Sequence, residues 1–414
     1  MSSGALKVMA RLHAEDHQAY LVGGAVRDLL LGGHPKDFDI ATDATPEEIH
    51  ALFRNSRIIG RRFRIVHVRF GREVIEVTTF RGHHDSADNA DPTQSAQRSE
   101  RGLLLRDNVY GTLEEDALRR DLTVNALYYS SATFEVFDQA AGMKDLAARR
   151  IRVIGDPAQR YREDPVRMLR SIRFAAKLDF EIEKGSAKPI AELARLLDDV
   201  PSARLFDEFS KLFLAGYAQS TLRLMREFKV LEHLFPDAAR LADSEPFAAA
   251  LLDAAMGNTD QRLRDDKPVT PAFILAALLW PEVCERTEEL EREGENPIPA
   301  MHSAGQEVVA RACTRVAIPR RFSMPMREIW EMQSRLHRTQ ARRAVELMSK
   351  RRFRAAYDFL LLREQAGEDC GGLGQIWTDL QVEHGPIEIT EAPTDFKPTR
   401  RRRRGGRRRQ PAPE

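Results

Sequence analysis

The spacing of hydrophobic positions along the chain changes near residue 156. Before that point, short apolar runs rich in β-branched and aromatic residues alternate with turn residues, as the strands of a sheet do. Beyond it, apolar residues recur at helical spacing to about residue 380, as in DPVRMLRSIRFAAKL and TPAFILAALLW. The pattern predicts an α+β fold in which an N-terminal head with a small mixed sheet precedes an all-helical body.

The head is predicted to begin with a helix over residues 5–16, followed by a short apolar strand, AYLV, that ends at Gly23 and Gly24. AVRDLLL then fits a helix closed by Gly32. DFDIAT, RFRIVHVRFG and REVIEVTTFR show partial alternation of apolar and polar residues, which predicts neighbouring strands of one sheet.

A loop is predicted for residues 82–108, which hold few large apolar side chains and many Asp, Ser, Gln and Gly. We expect it to be mobile. His83 and His84 in this loop have no partner at metal-ligand spacing, so solvated side chains are the simpler interpretation.

Composition is that of an ordinary folded protein, with 42% hydrophobic and 31% charged residues among 414. No apolar stretch approaches the roughly 20 residues that cross a bilayer, and the N-terminus lacks a signal-peptide pattern. Cys284, Cys313 and Cys370 lie far apart without CxxC spacing, which argues against disulfides or a zinc site. We therefore expect no transmembrane segment, a cytoplasmic location and buried thiols.

The net charge of +1 conceals an asymmetry between the end of the chain and the rest. Residues 391–414 carry nine cations and three carboxylates, a balance of +6, which leaves −5 for the preceding residues. This tail has no apolar residues able to form a core, so it is predicted to be disordered. It is either a solubilising end or, as we favour, an arm for RNA phosphates. Its RNA-binding candidates are Arg400, Arg401, Arg402, Arg403, Arg404, Arg407, Arg408 and Arg409.

Two aspartates at the start of a predicted strand carry the first chemical signal. Residues i and i+2 of a strand face the same side, so the carboxylates of Asp37 and Asp39 should lie close together and repel unless a cation lies between them. Mg²⁺ prefers such oxygen ligands. Gly23 and Gly24, at a strand-to-helix junction, would let the backbone approach a phosphate chain. Together these features indicate phosphoryl or nucleotidyl transfer, although either motif alone is commonly only a solvated turn.

The combination of LVGGAVRDLLLG and KDFDIAT resembles the head of the class II nucleotidyltransferases, the template-independent family of bacterial poly(A) polymerases and tRNA CCA-adding enzymes. The blocks EVTTFR, RRDLTVNALYY and REDPVRMLRSIRFAAKL match in the same order. The resemblance covers nearly the whole chain except the arginine-rich end. Leu122 departs from the more frequent Phe of the family, which should alter packing more than chemistry.

Several stretches favour the poly(A) polymerase branch, among them RIIGRRFRIVHVRFG and KRRFRAAYDFLLLREQAG. That resemblance implies template-independent addition of AMP from ATP to RNA 3′ ends, with ATP and RNA as partners and RNA-decay proteins as further candidates. A CCA-adding enzyme on the same scaffold and a non-catalytic RNA-binding protein are the alternatives.

The resemblance and the periodicity together predict four regions. They are a nucleotidyltransferase head over residues 1–155, a helical nucleotide-base and RNA-binding region over 156–240, a helical body and arm over 241–390, and the disordered tail over 391–414.

In the mechanism that the resemblance implies, Asp37 and Asp39 hold two Mg²⁺ ions. One ion lowers the pKa of the RNA 3′-hydroxyl, and the other stabilises the β,γ-phosphates of ATP and the leaving pyrophosphate. A third carboxylate usually completes such a site. The resemblance favours Asp121, whereas Glu76, on a strand expected to neighbour the aspartates, is the geometric alternative; a salt bridge with a nearby arginine is the simpler interpretation of each.

Contacts with the triphosphate and ribose are assigned to Arg27, Arg119 and Arg120, because guanidinium groups match phosphate oxygens. Lys36 is either an additional point charge or a surface residue. The full predicted ATP-binding set is Gly23, Gly24, Arg27, Arg119, Arg120, Asp164 and Arg167.

Choice of the base is assigned to Asp164 and Arg167 in EDPVRMLR. On one helix, residues three apart share a face, so this pair would present an acceptor beside a donor. Adenine and cytosine match that order, whereas guanine and uracil do not, so selection of A over C must come from pocket shape. A surface ion pair is the alternative.

A last basic cluster lies in SKRRFRAAYDFLLLR. Its Leu and Phe residues are predicted to be core. Arg351, Arg352 and Arg354, with Lys350, are either contacts to the RNA backbone or an ordinary solvated face.

Overall fold

The computed structural model describes residues 1–60, 64–82 and 109–387, together with the backbone of residues 97–98 and 104–106. Most of the predicted loop, His83 and His84 lie outside the described residues. So do the tail and its predicted RNA-binding arginines, Arg400 to Arg409.

The elements follow one another as strands interspersed with short helices and then as helices. The strands are β1 (Ala19–Val22), β2 (Asp39–Thr42), β3 (Ser56–Ile59), β4 (Ile65–Phe70), β5 (Glu73–Thr79), β6 (Gln97–Arg98), β7 (Leu104–Arg106), β8 (Leu127–Tyr129), β9 (Val136–Asp138), β10 (Arg150–Ile151) and β11 (Glu181–Ile182). The first helices are α1 (Ser3–His13), α2 (Gly24–Leu30), α3 (Pro46–Leu52), α4 (Leu113–Leu118), α5 (Gly142–Ala147), α6 (Pro157–Glu163), α7 (Val166–Leu178), α8 (Lys184–Leu193) and α9 (Ser202–Phe213). The later helices are α10 (Ala218–Glu227), α11 (Leu231–Leu234), α12 (Pro236–Ser244), α13 (Pro246–Arg264), α14 (Pro271–Arg292), α15 (Pro297–Arg315), α16 (Arg320–Gln333), α17 (Ala341–Met348), α18 (Phe353–Gln365) and α19 (Leu373–His384).

Seven strands of the described chain form one mixed sheet, in the order β3-β4-β5-β2-β1-β8-β9. β2 and β5 pair in parallel, and the other neighbours pair antiparallel. The predicted α+β head is therefore confirmed, including its helix–strand–helix start and the strands of DFDIAT, RFRIVHVRFG and REVIEVTTFR. Outside this sheet, β10 and β11 pair in parallel and tie the end of the head to the segment after α7.

Helix α1 covers one face of the sheet because its apolar residues recur at helical spacing. Val8, Met9 and Leu12 are fully buried against the head core. The helix starts where the Ser2 hydroxyl accepts a hydrogen bond from the Ala5 amide (3.0 Å), which satisfies one of the free amides of the first turn.

One continuous core joins the head to the helical body. At its centre lies α14, which is buried on most sides, as predicted for TPAFILAALLW. The indole of Trp330 is buried against it and donates to the Ala276 carbonyl (3.0 Å). A second, smaller core, which includes Leu336, Phe353 and Trp377, holds the C-terminal helices together.

The cysteines are free thiols, all within the described chain. Cys370 is buried as predicted, whereas Cys284 and Cys313 are only partly buried. In the parts of the chain that the structure describes, no helix is both long and apolar enough to cross a membrane.

Candidate active site

Pairing of three strands creates a row of polar side chains across the sheet, which we call the acidic row: Asp39, Glu76 and His67. The parallel register of β2 and β5 sets Asp39 beside Glu76, and the antiparallel register of β5 and β4 sets Glu76 beside His67. Nε2 of His67 lies 3.0 Å from Oε1 of Glu76. Glu76, predicted as the geometric alternative for a third carboxylate, thus lies next to the first pair.

Burial and repulsion in this row both act on the pKa of Asp39. Burial, followed by the negative charges of Glu76 and Asp37, raises the pKa of Asp39 to about 6, although Arg120 acts in the opposite direction. Asp37 is exposed and precedes β2, which begins only at Asp39. The prediction that both aspartates lie on one strand is therefore wrong for Asp37. The site favours either a proton or a cation at Asp39.

The glycine pair forms the junction between β1 and α2, as predicted. Gly23 has φ +68° and ψ −127°, a conformation that side-chain-bearing residues rarely adopt. A Cβ there would also lie 3.3 Å from Nη1 of Arg120. The amide of Gly23 donates to the Leu127 carbonyl (3.1 Å), so Gly23 shapes the turn with its amide already engaged.

Arg119 and Arg120 are anchored by Asp116, which the sequence analysis missed. Nη2 of Arg119 lies 2.9 Å from Oδ1 of Asp116, and Nη2 of Arg120 lies 3.1 Å from Oδ2. Tyr128 accepts from Nε of Arg120 (2.7 Å) and donates to Asp116 (2.5 Å). Burial would raise the pKa of Asp116, but Arg120 and Arg119 hold this pKa at about 2. The network fixes Arg120 beside Gly23 and within electrostatic reach of Asp39.

Arg27 is buried, with 1% of its surface exposed. Its guanidinium donates to Asn125 Oδ1 (2.5 Å) and Asp28 Oδ1 (2.7 Å) and lies 5.0 Å from the ring centroid of Phe174. It therefore fills the junction between the head and α7.

Asp121 faces the helical body. Its Oδ2 accepts from Nε of Arg170 on α7 (2.5 Å), and its Oδ1 accepts from the amide of Leu122 (2.8 Å). Burial would raise the pKa of Asp121, but the charge and hydrogen bond of Arg170 lower it. Asp121 is thus an ionised partner of α7, and it is Glu76 that shares a register with Asp39.

A second arginine of the body holds the same segment. Nη2 of Arg160, on α6, donates to the carbonyls of Arg119 (2.5 Å) and Arg120 (2.7 Å). We call the hydrogen bonds from Arg160 and Arg170 to residues 119–121 the latch. Through it, helices α6 and α7 position the backbone from which the two predicted triphosphate-binding arginines project.

The prediction that Asp164 and Arg167 share one helix is wrong. Helix α6 ends at Glu163, Asp164 is extended (φ −149°), and α7 begins only at Val166. The cause is Pro165, because the residue before a proline is disfavoured in helical conformation.

Both side chains nevertheless remain at this junction, each with another partner. Oδ2 of Asp164 bonds with Nη2 of Arg204 on α9 (2.7 Å), and Nη1 of Arg167 bonds with Oε2 of Glu163 (2.9 Å).

The remaining predicted residues lie on the surface. Lys36 is exposed beside Asp37. Arg352 pairs with Glu328 (2.7 Å), Arg354 pairs with Asp358 (2.9 Å), and Arg351 is exposed. In the described part of the chain, no group of three His, Cys, Asp or Glu side chains is placed so that it could hold a metal ion.

Comparison with known proteins places this geometry in a family. Residues 19–152 match the family model "Poly A polymerase head domain", 179–241 match "Probable RNA and SrmB-binding site of polymerase A", and 293–410 match "Polymerase A arginine-rich C-terminus". Poly(A) polymerase I of Escherichia coli is 46% identical over 421 residues, covering 99% of this chain and 90% of the relative. That of Haemophilus influenzae is 46% identical, with 93% and 85% covered.

This chain belongs to the bacterial poly(A) polymerase family.

CCA-adding enzymes are more distant relatives of this poly(A) polymerase family member. The Bacillus pumilus enzyme is 36% identical over 251 residues, 60% of each chain. Among solved structures, the Bacillus stearothermophilus CCA-adding enzyme in complex with CTP has a TM-score of 0.63 at 24% identity, with 92% of this chain and 83% of that chain covered. The Thermotoga maritima CCA-adding enzyme complexed with tRNA has a TM-score of 0.62 at 19% identity, with the same coverage. These structures share the fold.

The predicted family and fold class of the poly(A) polymerase chain are confirmed by these matches. What sequence reasoning missed are the residues that hold others in place, namely His67, Asp116, Tyr128, Arg160, Arg170 and Arg204. Strand register or helix packing across the fold fixes the partners of His67, Arg160, Arg170 and Arg204, for which the motifs alone contained no signal. Asp116 is different, because it lies three and four residues before Arg119 and Arg120, a spacing that was visible in the sequence. The helix-breaking Pro165, in contrast, was visible in the sequence.

Asp39→Asn is expected to stabilise the metal-free protein near neutral pH. Because the folded-state pKa of Asp39 is about 6, above its ordinary value of 3.8, folded protein binds more protons than unfolded protein between these values. Stability is therefore lost as pH rises through this window, and the loss is complete above it. We expect a gain in unfolding free energy on the order of 1–2 kcal/mol at about pH 7.5 that shrinks as the pH falls.

Denaturant unfolding in a chelator at several pH values measures this gain. Asp207→Asn, at an exposed position of α9, is the matched control and should change little. A pH-independent effect of Asp39→Asn, or a loss of stability near neutral pH, would contradict the raised pKa inferred for Asp39.

Proposed function

We propose that this chain adds AMP from ATP to RNA 3′ ends without a template, at the acidic row. The observation that carries the proposal is the in-register pairing of Asp39 with Glu76, next to Asp37, in a member of the poly(A) polymerase family. Polyadenylation serves RNA processing and decay. The relation to CCA-adding enzymes is weaker in identity and coverage, so CCA addition is the disfavoured alternative.

The donor set fits Mg²⁺. Asp37 is exposed and Asp39 half-buried, so both can reach an ion that retains waters, and Mg²⁺ is typically held by one or two carboxylates together with substrate phosphates. Two bound Mg²⁺ ions would supply Lewis acidity for the attacking 3′-hydroxyl and the leaving pyrophosphate. The raised pKa of Asp39 is consistent with this assignment, because burial and the charges of Glu76 and Asp37, which raise the pKa, both disfavour a carboxylate that has no cation beside it.

Arg120 is the cation that the chain itself brings to the reacting phosphates. Its guanidinium is fixed by Asp116 and Tyr128 beside Gly23 and acts electrostatically on Asp39. Tyr128 and Asp116 outweigh the effect of burial and raise the pKa of Arg120, so it remains charged throughout the cycle. We assign it to the triphosphate, with Arg119 beside it. Gly23, Gly24, Arg27 and Lys36 belong to the same proposal, Arg27 as a buried support of the junction.

We assign the third carboxylate of the metal site to Glu76, whose Oε1 lies 3.0 Å from Nε2 of His67. Asp121 then has a positioning role, since its ion pair with Arg170 forms half of the latch. Through the latch, the segment that reads the base and the arginines that hold the triphosphate form one rigid unit.

Base reading is assigned to the junction between α6 and α7. The carboxylate of Asp164 can accept a hydrogen bond from the exocyclic amine of adenine, and the guanidinium of Arg167 can donate one to the ring nitrogen of the base. Arg204 and Glu163 orient this pair, as their ion pairs at 2.7 and 2.9 Å support. Guanine and uracil present the opposite order of groups and are rejected, whereas discrimination against cytosine rests on the shape of the pocket.

The division of labour along the chain is part of the proposal. The head (1–155) carries catalysis, residues 156–240 read the base and bind RNA, and residues 241–390 form the body and arm. Arg351, Arg352, Arg354 and the tail from residue 391 contact RNA phosphates. A cytoplasmic location, supported by three free thiols, and RNA-decay proteins as partners complete it.

ATP alone is expected to extend an unstructured RNA into long ladders in the presence of Mg²⁺, whereas CTP, GTP and UTP add little. The measurement is gel analysis of a labelled RNA incubated with each nucleotide separately. Asp39→Asn should remove most of the activity, and Asp207→Asn should retain it. Efficient, terminated addition of C, C and A to a tRNA that lacks its end would move the protein to the alternative function.

Glu76→Gln and Asp121→Asn are expected to separate metal binding from positioning. Glu76→Gln should weaken the apparent Mg²⁺ affinity of the reaction by about 10-fold or more, with little change in stability. Asp121→Asn leaves Arg170 without its charged partner, so it should cost about 1–3 kcal/mol of unfolding free energy while the Mg²⁺ dependence stays near that of the original protein.

Magnesium titrations of the initial rate and denaturant unfolding of both variants test this pair of assignments. The opposite pattern, in which Asp121→Asn shifts the Mg²⁺ dependence and Glu76→Gln does not, would identify Asp121 as the third metal-binding carboxylate.

A further inference from the structure

A groove with a volume of about 740 Å³ opens between α15, α16 and α17 in the C-terminal part of the structure, away from the acidic row in sequence. Three arginines, Arg335, Arg338 and Arg343, line it together with Lys350. We call it the arm groove.

The backbone that carries these arginines is held firmly. Arg335 and Arg338 project from the connection between α16 and α17, in which Leu336 is fully buried. The Leu336 carbonyl accepts a hydrogen bond from the buried indole of Trp377 (2.8 Å). Arg343 follows in the first turn of α17. The guanidinium groups therefore extend into solvent from a fixed frame.

Charge in the arm groove is unbalanced. Its two acids are already engaged, since Glu331 pairs with His302 (2.9 Å) and Glu346 lies 3.5 Å from Lys350. Among the residues that the structure describes, Arg335, Arg338 and Arg343 have no acidic partner and no side-chain hydrogen bond, and all three are exposed. Three unpaired guanidinium groups around one concave surface, in a chain that is net negative before its tail, indicate a polyanionic ligand.

The apolar part of the lining selects among polyanions. Ile298 is 60% exposed, and Pro299 and Met301 lie next to it in the groove wall. Apolar side chains beside cations suit a strand whose bases and sugars are accessible, whereas a duplex presents mainly phosphates. We propose that the arm groove binds single-stranded RNA upstream of the 3′ end that is being extended. This inference rests on the proposed function, because it takes the RNA substrate as the ligand.

A second cavity lies next to the arm groove along the chain. Lys350 lines the arm groove, and the residues that follow it, Arg351, Arg352 and Arg354, line a cavity of about 230 Å³ that also contains Arg262. Segment 350–354 therefore borders both depressions.

The test compares two triple variants that each lose three exposed, unpaired arginines. The groove variant carries Arg335→Gln, Arg338→Gln and Arg343→Gln. The control variant carries Arg54→Gln, Arg72→Gln and Arg150→Gln, which are exposed elsewhere in the described chain, outside residues 156–240. Equal charge loss cancels any effect of net charge alone. Equilibrium binding of unstructured RNAs of increasing length is measured over a range of salt, without ATP or metal, and thermal melting checks the fold of each variant.

We expect the groove variant to bind long RNA more weakly than the control variant, with a plot of log affinity against log salt flatter by about 2, from three lost contacts at about 0.7 each. With the shortest primers, which cannot reach the arm, the two variants should bind alike. Equal salt slopes of the two variants on long RNA would overturn the proposal. The proposal would also be overturned if the groove variant lost as much affinity for the shortest primers as for long RNA, because these arginines would then act at the catalytic site.

The outcome is independent of the catalytic assignment. If the original protein fails to add A to a short primer, the proposed function fails, whereas a difference in salt slope between the variants still assigns the groove to RNA. If addition proceeds normally and the slopes agree, the arm groove serves another ligand, such as an acidic protein, and only the inference about RNA falls.

Discussion

The structure depends on a repulsion that the fold itself creates. Parallel pairing of β2 with β5 sets Asp39 beside Glu76, and Asp37 adds a third negative charge two residues earlier. Like charges in a half-buried setting destabilise the folded state unless a proton or a cation joins them, and burial together with these charges raises the pKa of Asp39. A fold that needed only stability would place apolar residues there. The cost is understandable if the row exists to attract metal ions.

Other residues of the site hold arginine side chains at fixed positions near this row. Asp116 and Tyr128 fix Arg120 from within the head, and the latch fixes the same segment from the body. Because Arg160 and Arg170 lie on the helices that flank Asp164, a movement of the proposed base-reading junction would be transmitted to Arg119 and Arg120, the proposed triphosphate ligands, through hydrogen bonds of 2.5–2.7 Å. If these assignments hold, binding of the correct base and alignment of the phosphates are coupled.

Much of this architecture could be predicted from the sequence, because it follows from periodicity. The strands around Asp39, the short helix after Gly24 and the buried helix α14 all lie where the apolar pattern indicates. The partners across the fold could not be predicted in the same way. Sequence alone gives neither strand register, which decides between Glu76 and Asp121 as the neighbour of Asp39, nor the packing that brings Arg170 to Asp121 across 49 positions. Asp164 illustrates a different failure, since Pro165 already argued against a continuous helix.

Metal binding at Asp37 and Asp39, with Glu76 beside them, underlies the proposed reaction. Anomalous X-ray scattering from crystals grown with Mn²⁺ and a non-hydrolysable ATP analogue locates these ions without reference to activity, because Mn²⁺ substitutes for Mg²⁺ at oxygen ligands. We expect anomalous peaks in contact with the carboxylates of Asp37 and Asp39. Peaks at Asp121 and none at this pair would contradict it.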